Sequence, residues 1–153
     1  MMNFFRICIV VFFIALSVPA KAQELPAEIN SALKVDDSVK ISVVITKTNI
    51  NDCYGNYSVL ADAIRYNSIK CFIWLLENGA DVNKICNGYV SPLMHAAKYG
   101  NLDMVKMLVA KGAKINYQYT GDYGPAKGKT PATYAEMFGH QEIADYLRSL
   151  SSR

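Results

Sequence analysis

The fold class this chain predicts is an all-α array of stacked helix-turn-helix units, on two observations. First, the stretch Ser58 to Asn83 recurs without gaps as Ser91 to Asn116, a period of 33 residues. The copies share Ser58/Ser91, Leu60/Leu93, Ala63/Ala96, Tyr66/Tyr99, Leu75/Leu108, Gly79/Gly112, Ala80/Ala113 and Asn83/Asn116. Second, each copy sets apolar and small residues at helical spacing between glycines, so a turn and two short helices fill the period. One such unit cannot bury its apolar stripe alone, whereas stacked neighbours can. A scaffold of that kind presents a surface, which points to binding rather than catalysis.

Along the chain, a shift of 32 lays Asp37–Asn51 over Ile69–Asn83, which gives a degenerate first repeat at about 31–52. Its Val43-Val44-Ile45-Thr46 run is rich in β-branched residues and is a poor helix former. Repeats at about 53–85 and 86–124 follow. A third copy, Thr130-Pro131-Ala132-Thr133-Tyr134-Ala135, stands 39 residues after the second. About six extra residues therefore fall in the connection Tyr117 to Gly128, and a capping repeat occupies 125–150. Pro92 and Pro131 suit the first turn of a helix, and Ser91 and Thr130 precede them as caps. Gly100 and Gly139 end the first helices, and Gly79 and Gly112 end the second ones. Leu75-Leu76 and Leu108-Val109 supply the apolar stripes. Tyr66, Tyr99 and Phe138 are equivalent positions and are expected to form an aromatic column in the core. The end helices, near Asp37–Thr46 and Gln141–Leu150, are expected to have polar outer faces that keep the array monomeric.

Ser91-Pro92-Leu93-Met94-His95-Ala96-Ala97-Lys98-Tyr99-Gly100, followed by Leu108-Val109 and Gly112-Ala113 ahead of Asn116, resembles the ankyrin repeat. The resemblance covers about residues 31–150. It implies an ankyrin-repeat solenoid of about four units whose connections project as hairpin fingers. It also implies a non-catalytic protein-interaction role with no cofactor. The family's usual histidine position holds Met94 here. His95 takes the next position, which in ankyrin proteins faces the concave groove, and its counterparts are Asp62 and Tyr134. These three are expected to form a polar row along that groove, with Arg65 and Lys98 one turn further on. His140, after Gly139, looks like a structural inter-helix residue.

Residues 1–22 read as a cleaved signal peptide: Arg6, an apolar run from Ile7 to Val18, then Ala20-Lys21-Ala22. The apolar run is short for a membrane span. The mature chain, 23–150 and its tail, is expected in the periplasm or outside the cell. Without Arg6 and Lys21, the 16 basic residues fall to 14 against 13 acidic ones, and no basic stripe remains. That charge pattern excludes the electrostatic footprint of a nucleic-acid binder.

Cys71 aligns with Met104, a core position. Cys53 and Cys86 sit 33 residues apart in successive connections, where an oxidising compartment would let them pair. Equivalent points on stacked helices lie about 8–10 Å apart, beyond the roughly 7 Å a disulfide spans. The connection before Ser58 is one residue shorter than its counterpart and could draw them together. Residue spacing alone leaves the bridge open.

Gly124-Pro125-Ala126-Lys127-Gly128-Lys129-Thr130 has three residues between its glycines where a phosphate-binding loop needs four. Two histidines without clustered carboxylates make a poor metal site. The alternative of an enzyme using Asp62 and His95 lacks a nucleophile in register. Tyr54, Tyr57, Tyr89, Tyr117, Tyr119 and Tyr123 all fall in connections. Tyrosine gives rigid, amphipathic contact area, so the expected binding edge joins these tips to Asp62, Arg65, His95, Lys98 and Tyr134. Small exported ankyrin proteins suggest, by resemblance, an immunity protein against a delivered toxin, an envelope or oxidative-stress accessory, or a secreted host-directed factor. Asn56-Tyr57-Ser58 is a glycosylation sequon that matters only in a eukaryotic source.

Overall fold

A computed structural model describes residues 24–151. The signal-peptide reading of residues 1–22 lies outside the described residues. Four antiparallel helix pairs follow in order: α1 Ala27–Lys34 with α2 Ser38–Val44, α3 Val59–Arg65 with α4 Ile69–Glu77, α5 Pro92–Tyr99 with α6 Leu102–Ala110, and α7 Pro131–Met137 with α8 Gln141–Ser151. The inner helices α3, α5 and α7 pack side by side. In the outer layer α2 packs on α4 and α6 on α8.

The helix starts follow the caps. Ser58, Ser91, Asn101 and Thr130 each accept the amide three residues on, and Thr130 and Thr133 form a reciprocal capping box. First helices end in the left-handed region at Gly100 and Gly139, and at the equivalent Asp36 and Asn67 in the earlier units. The two non-glycines tolerate that conformation because their side chains bond onward. Asp36 accepts the Lys70 and Cys71 amides, and Asn67 accepts from the Asn101 side chain.

One core runs through the stack, from Ile29 and Leu33 through Leu60, Phe72 and Leu93 to Leu108 and Leu147. An asparagine ladder ties the units together. Asn51 accepts the Asp81 amide at 2.7 Å and Asn83 accepts the Lys114 amide at 2.9 Å, while the Asn83 amide group donates to Gly112 O at 3.1 Å. Asn116 continues the ladder by accepting from Ser151 Oγ at 2.6 Å.

The structure corrects several expectations. α2 stops at Val44, and Ile45 is extended, as the β-branched run allows. Among the described connections only the first forms a two-stranded hairpin, Cys53–Tyr54 with Tyr57–Ser58. Tyr66, Tyr99 and Phe138 are 38%, 45% and 38% exposed rather than core, because Tyr99 ends its inner helix and Tyr66 and Phe138 stand just past the ends of theirs. The N-terminal outer face is not polar: Val39 and Val43 are 73% and 77% exposed. The C-terminal helix α8 does present Glu142, Asp145 and Arg148 outward.

The Cys53–Cys86 bridge is present, with Cα atoms 5.6 Å apart, so the shorter first connection brings the fingers within reach. Cys71 is a buried free thiol, as its alignment with Met104 required. No helix among the described residues is long and apolar enough to cross a membrane.

Candidate functional site

The middle turns of α3, α5 and α7 place Asp62, His95 and Tyr134 one repeat apart. They form the expected row, but it is a buried one: their exposures are 3%, 2% and 0%. The expectation that these three line an open groove is therefore corrected, and the cause is an aromatic roof. Tyr57 and Tyr89, from the two bridged connections, bring their ring centroids to 5.3 and 5.7 Å from His95. Tyr99, four residues after His95 on α5, lies nearly parallel to it at 6.4 Å. Tyr123, from the inserted connection, closes on Tyr89 at 4.6 Å.

The roof is built by the fingers. Asn87 donates its side-chain amide to Gly55 O at 2.7 Å, and the disulfide locks the same two connections, so Tyr57 and Tyr89 meet edge to face at 5.3 Å. Tyr119, expected at a finger tip, is also corrected. It is 1% exposed and plugs the insertion into a second small core with Val90, Met94, Ala126 and Tyr134. Tyr117 and Tyr123 are half-buried against that core. The insertion has few residues with which to build its own core, so it buries its central tyrosine in the parent array.

Two cations mark the face. The Arg65 guanidinium lies 3.9 Å from the Tyr57 ring centroid and pairs with Asp62 at 2.5 Å. The Lys98 ammonium lies 5.5 Å from Tyr99 and 5.2 Å from Phe138, reaching across from α5 to α7. Burial pushes the Asp62 carboxyl above its ordinary value, with Arg65 pulling the other way. Burial, then Arg65 and Lys98, drives the His95 imidazole down to about 3. Burial raises the Tyr89 and Tyr134 phenols. The floor of the site thus sets the Asp62–Arg65 pair beside an imidazole kept neutral by burial, with Lys98 on the adjoining surface.

This arrangement suits recognition better than reaction. A neutral histidine sealed under tyrosines cannot exchange protons with a bound substrate as it stands. The Cys71 thiol is pushed up to about 12, chiefly by burial, which is the opposite of an activated nucleophile. Among the described residues no group of three or more His, Cys, Asp or Glu is placed to hold a metal. Two open clefts flank the roof. One of about 320 Å³ is lined by Asn56, Asn87, Tyr89, Asp122 and Tyr123. The other, of about 470 Å³, is lined by Arg65, Asn67, Tyr99, Asn101 and Asp103.

Tyr57 and Tyr99 are the members of this face whose part the residue pattern understated. Tyr99 follows His95 by four positions, so both share one helical face, a signal masked by assigning Tyr99 to the core. His140 fills its expected structural place. Its Nε2 lies 2.9 Å from the Lys98 carbonyl, and the ring stands over Gly100.

Comparison with known proteins agrees with this architecture. Family models described as ankyrin repeats match residues 60–109 (many copies) and 85–152 (3 copies), together well over half of the chain. An ankyrin repeat protein of Fowlpox virus is 36% identical over 95 residues, covering 62% of this chain and 15% of that protein. A second from the same virus is 40% identical over 58 residues, covering 38% and 41%. One from Rickettsia bellii is 30% identical over 95 residues, covering 61% and 49%. This chain thus spans half or less of the length of each of these relatives. Ankyrin repeats are in general protein–protein interaction modules and typically non-catalytic. From the repeat geometry and both matches, the chain belongs to the ankyrin-repeat family.

Proposed function

We propose that this chain is a non-catalytic module that binds a specific partner protein in the periplasm, through the tyrosine-roofed face formed by Tyr57, Tyr89, Tyr99 and Tyr123 with Arg65 and Lys98. The observation that carries this reading is the convergence of rings from three connections over one buried row. Tyr57, Tyr89 and Tyr123 are held within 5.3 Å of a neighbouring ring, yet each keeps part of its surface open. Rigid tyrosines with two cations alongside are the composition that interface hot spots favour. Pre-ordering them in the free protein lowers the entropy cost of association.

Two features support export. The leader reading of residues 1–22 predicts it, and the Cys53–Cys86 bridge suits an oxidising compartment. Fractionation of cells producing the tagged full chain, with N-terminal sequencing of the product, tests this part. The expected product begins at Gln23 and leaves with the periplasmic fraction. Retention in the cytoplasm with Met1 intact would remove export from the proposal. For the binding face, capture from an extract of the source organism is compared between the wild type and a Tyr89→Ala/Tyr123→Ala variant. A partner held by the wild type and lost by the variant is expected. Equal retention would rule this face out.

A further inference from the structure

Among the described residues, every buried side-chain nitrogen or oxygen without a hydrogen-bond partner lies in one place: Arg65 Nε, both ring nitrogens of His95, and Tyr134 Oη. Native structures pair nearly all such atoms, and the exceptions call for an explanation at the site where they occur. Here four exceptions converge under one roof, on three successive repeats.

Arg65 shows what the site is built to take. Its Nη1 end is committed to Asp62, and its plane is held by the Tyr57 ring. The opposite edge carries Nε–H and one Nη2–H side by side, which is the fork that receives a carboxylate bidentately. That edge belongs to the residue lining the open cleft of about 470 Å³, beside Tyr99, the most exposed ring of the roof. Lys98, on the next helix, forms no ion pair within 4.0 Å among the described residues, and its ammonium lies against the Tyr99 and Phe138 rings as a second cation on the same face. Asp62 is already spent on Arg65. Asp103 also lines this cleft, from the first turn of α6.

We infer that the Nε/Nη2 edge of Arg65, framed by Tyr57 and Tyr99, anchors a carboxylate side chain from an acidic segment of the partner protein, with Lys98 holding a second carboxylate of the same segment. This rests on the reading that the tyrosine-roofed face binds protein. Rotation of Tyr99 uncovers the edge, and the entering carboxylate pairs with Arg65 Nε, which lacks a partner in the free chain, together with Nη2.

The test titrates short oligoglutamate and oligolysine peptides into nitrogen-15-labelled full chain, with the wild type beside Arg65→Lys and Lys98→Gln. Arg65→Lys keeps the positive partner that buried Asp62 needs but removes the planar fork, so the fold survives while the anchor is lost. The expected result is selective binding of oligoglutamate, with shifts at Arg65 Nε–H, His95 and Tyr99. Arg65→Lys should weaken it about tenfold and Lys98→Gln several-fold. Binding on this face with no acidic preference, or an Arg65→Lys variant that matches the wild type, overturns the carboxylate anchor and leaves the face standing. Shifts confined to another surface sink the face itself, and with it the anchor. No binding at millimolar peptide also overturns the anchor.

Discussion

The phenol of Tyr119 donates to the carbonyl of Gly88 at 2.7 Å and accepts the Tyr123 amide at 3.0 Å. One buried side chain thereby pins the inserted connection to the finger before it and holds Tyr123 against Tyr89. Tyr119→Phe keeps the ring and loses both bonds. The cost should be about 1–3 kcal/mol, since two part-buried hydrogen bonds are lost together. Chemical denaturation gives the stability change, and amide exchange should locate the loosening at residues 119–128. Unchanged protection there would show that ring packing alone fixes the insertion.

The disulfide makes a second prediction. Cys53 and Cys86 close a loop with a sequence separation of 33, and the chain-entropy argument puts that constraint at about 4 kcal/mol. A Cys53→Ser/Cys86→Ser variant should lose up to this amount, with the Tyr57–Tyr89 contact weakened. Reductant should shift the melting of the wild type and not that of the variant. Cys71, buried and with its thiol pushed up to about 12, should stay unreactive toward alkylating reagents until the chain unfolds.

Acid should destabilise the protein through His95. Its imidazole is held down to about 3 in the folded chain against an ordinary 6.5. Between those values the unfolded state binds the proton and the folded state does not. Stability that is full above about 6.5 is therefore lost progressively as pH falls toward about 3. Asp62, whose carboxyl is raised, acts in the opposite sense just above its ordinary value. Stability measured across pH for the wild type and His95→Phe should show a shallower acid slope in the variant. A His95 ring resonance that titrates near neutral pH would contradict this account.

Gly100 and Asn83 test the stacking. Gly100 has φ of 73°, and a Cβ there would stand 2.4 Å from His140 Cε1. Gly100→Ala therefore combines a left-handed strain with a clash, and should cost more than the roughly 1 kcal/mol typical of either alone. Asn83→Ala removes the two bonds linking one repeat to the next and should cost about 1–3 kcal/mol by thermal or chemical denaturation.

The array was legible because its determinants are local and repeated. Pro92 after Ser91, the left-handed glycines and the Leu75/Leu108 stripe each act within one unit, and the period multiplies them. The candidate face was legible only in part. Asp62, His95 and Tyr134 were found as a row because equivalent positions must align in a stack. Their burial was not visible, since the cover comes from Tyr57, Tyr89 and Tyr123 in connections without a period. Tyr119 illustrates the same limit: an inserted residue has no counterpart whose role it could inherit. The bridge needed the actual path of two loops, which no spacing of helices fixes.

The most direct test of the central claim places a photo-crosslinking amino acid at Tyr99, on the roofed face, and separately at exposed Ile73 on outer helix α4. Each full-length variant is irradiated in cells of the source organism. One discrete protein adduct is expected from position 99 and none from position 73. An adduct from position 73 with none from position 99 would contradict that expectation and move the binding surface to the outer layer.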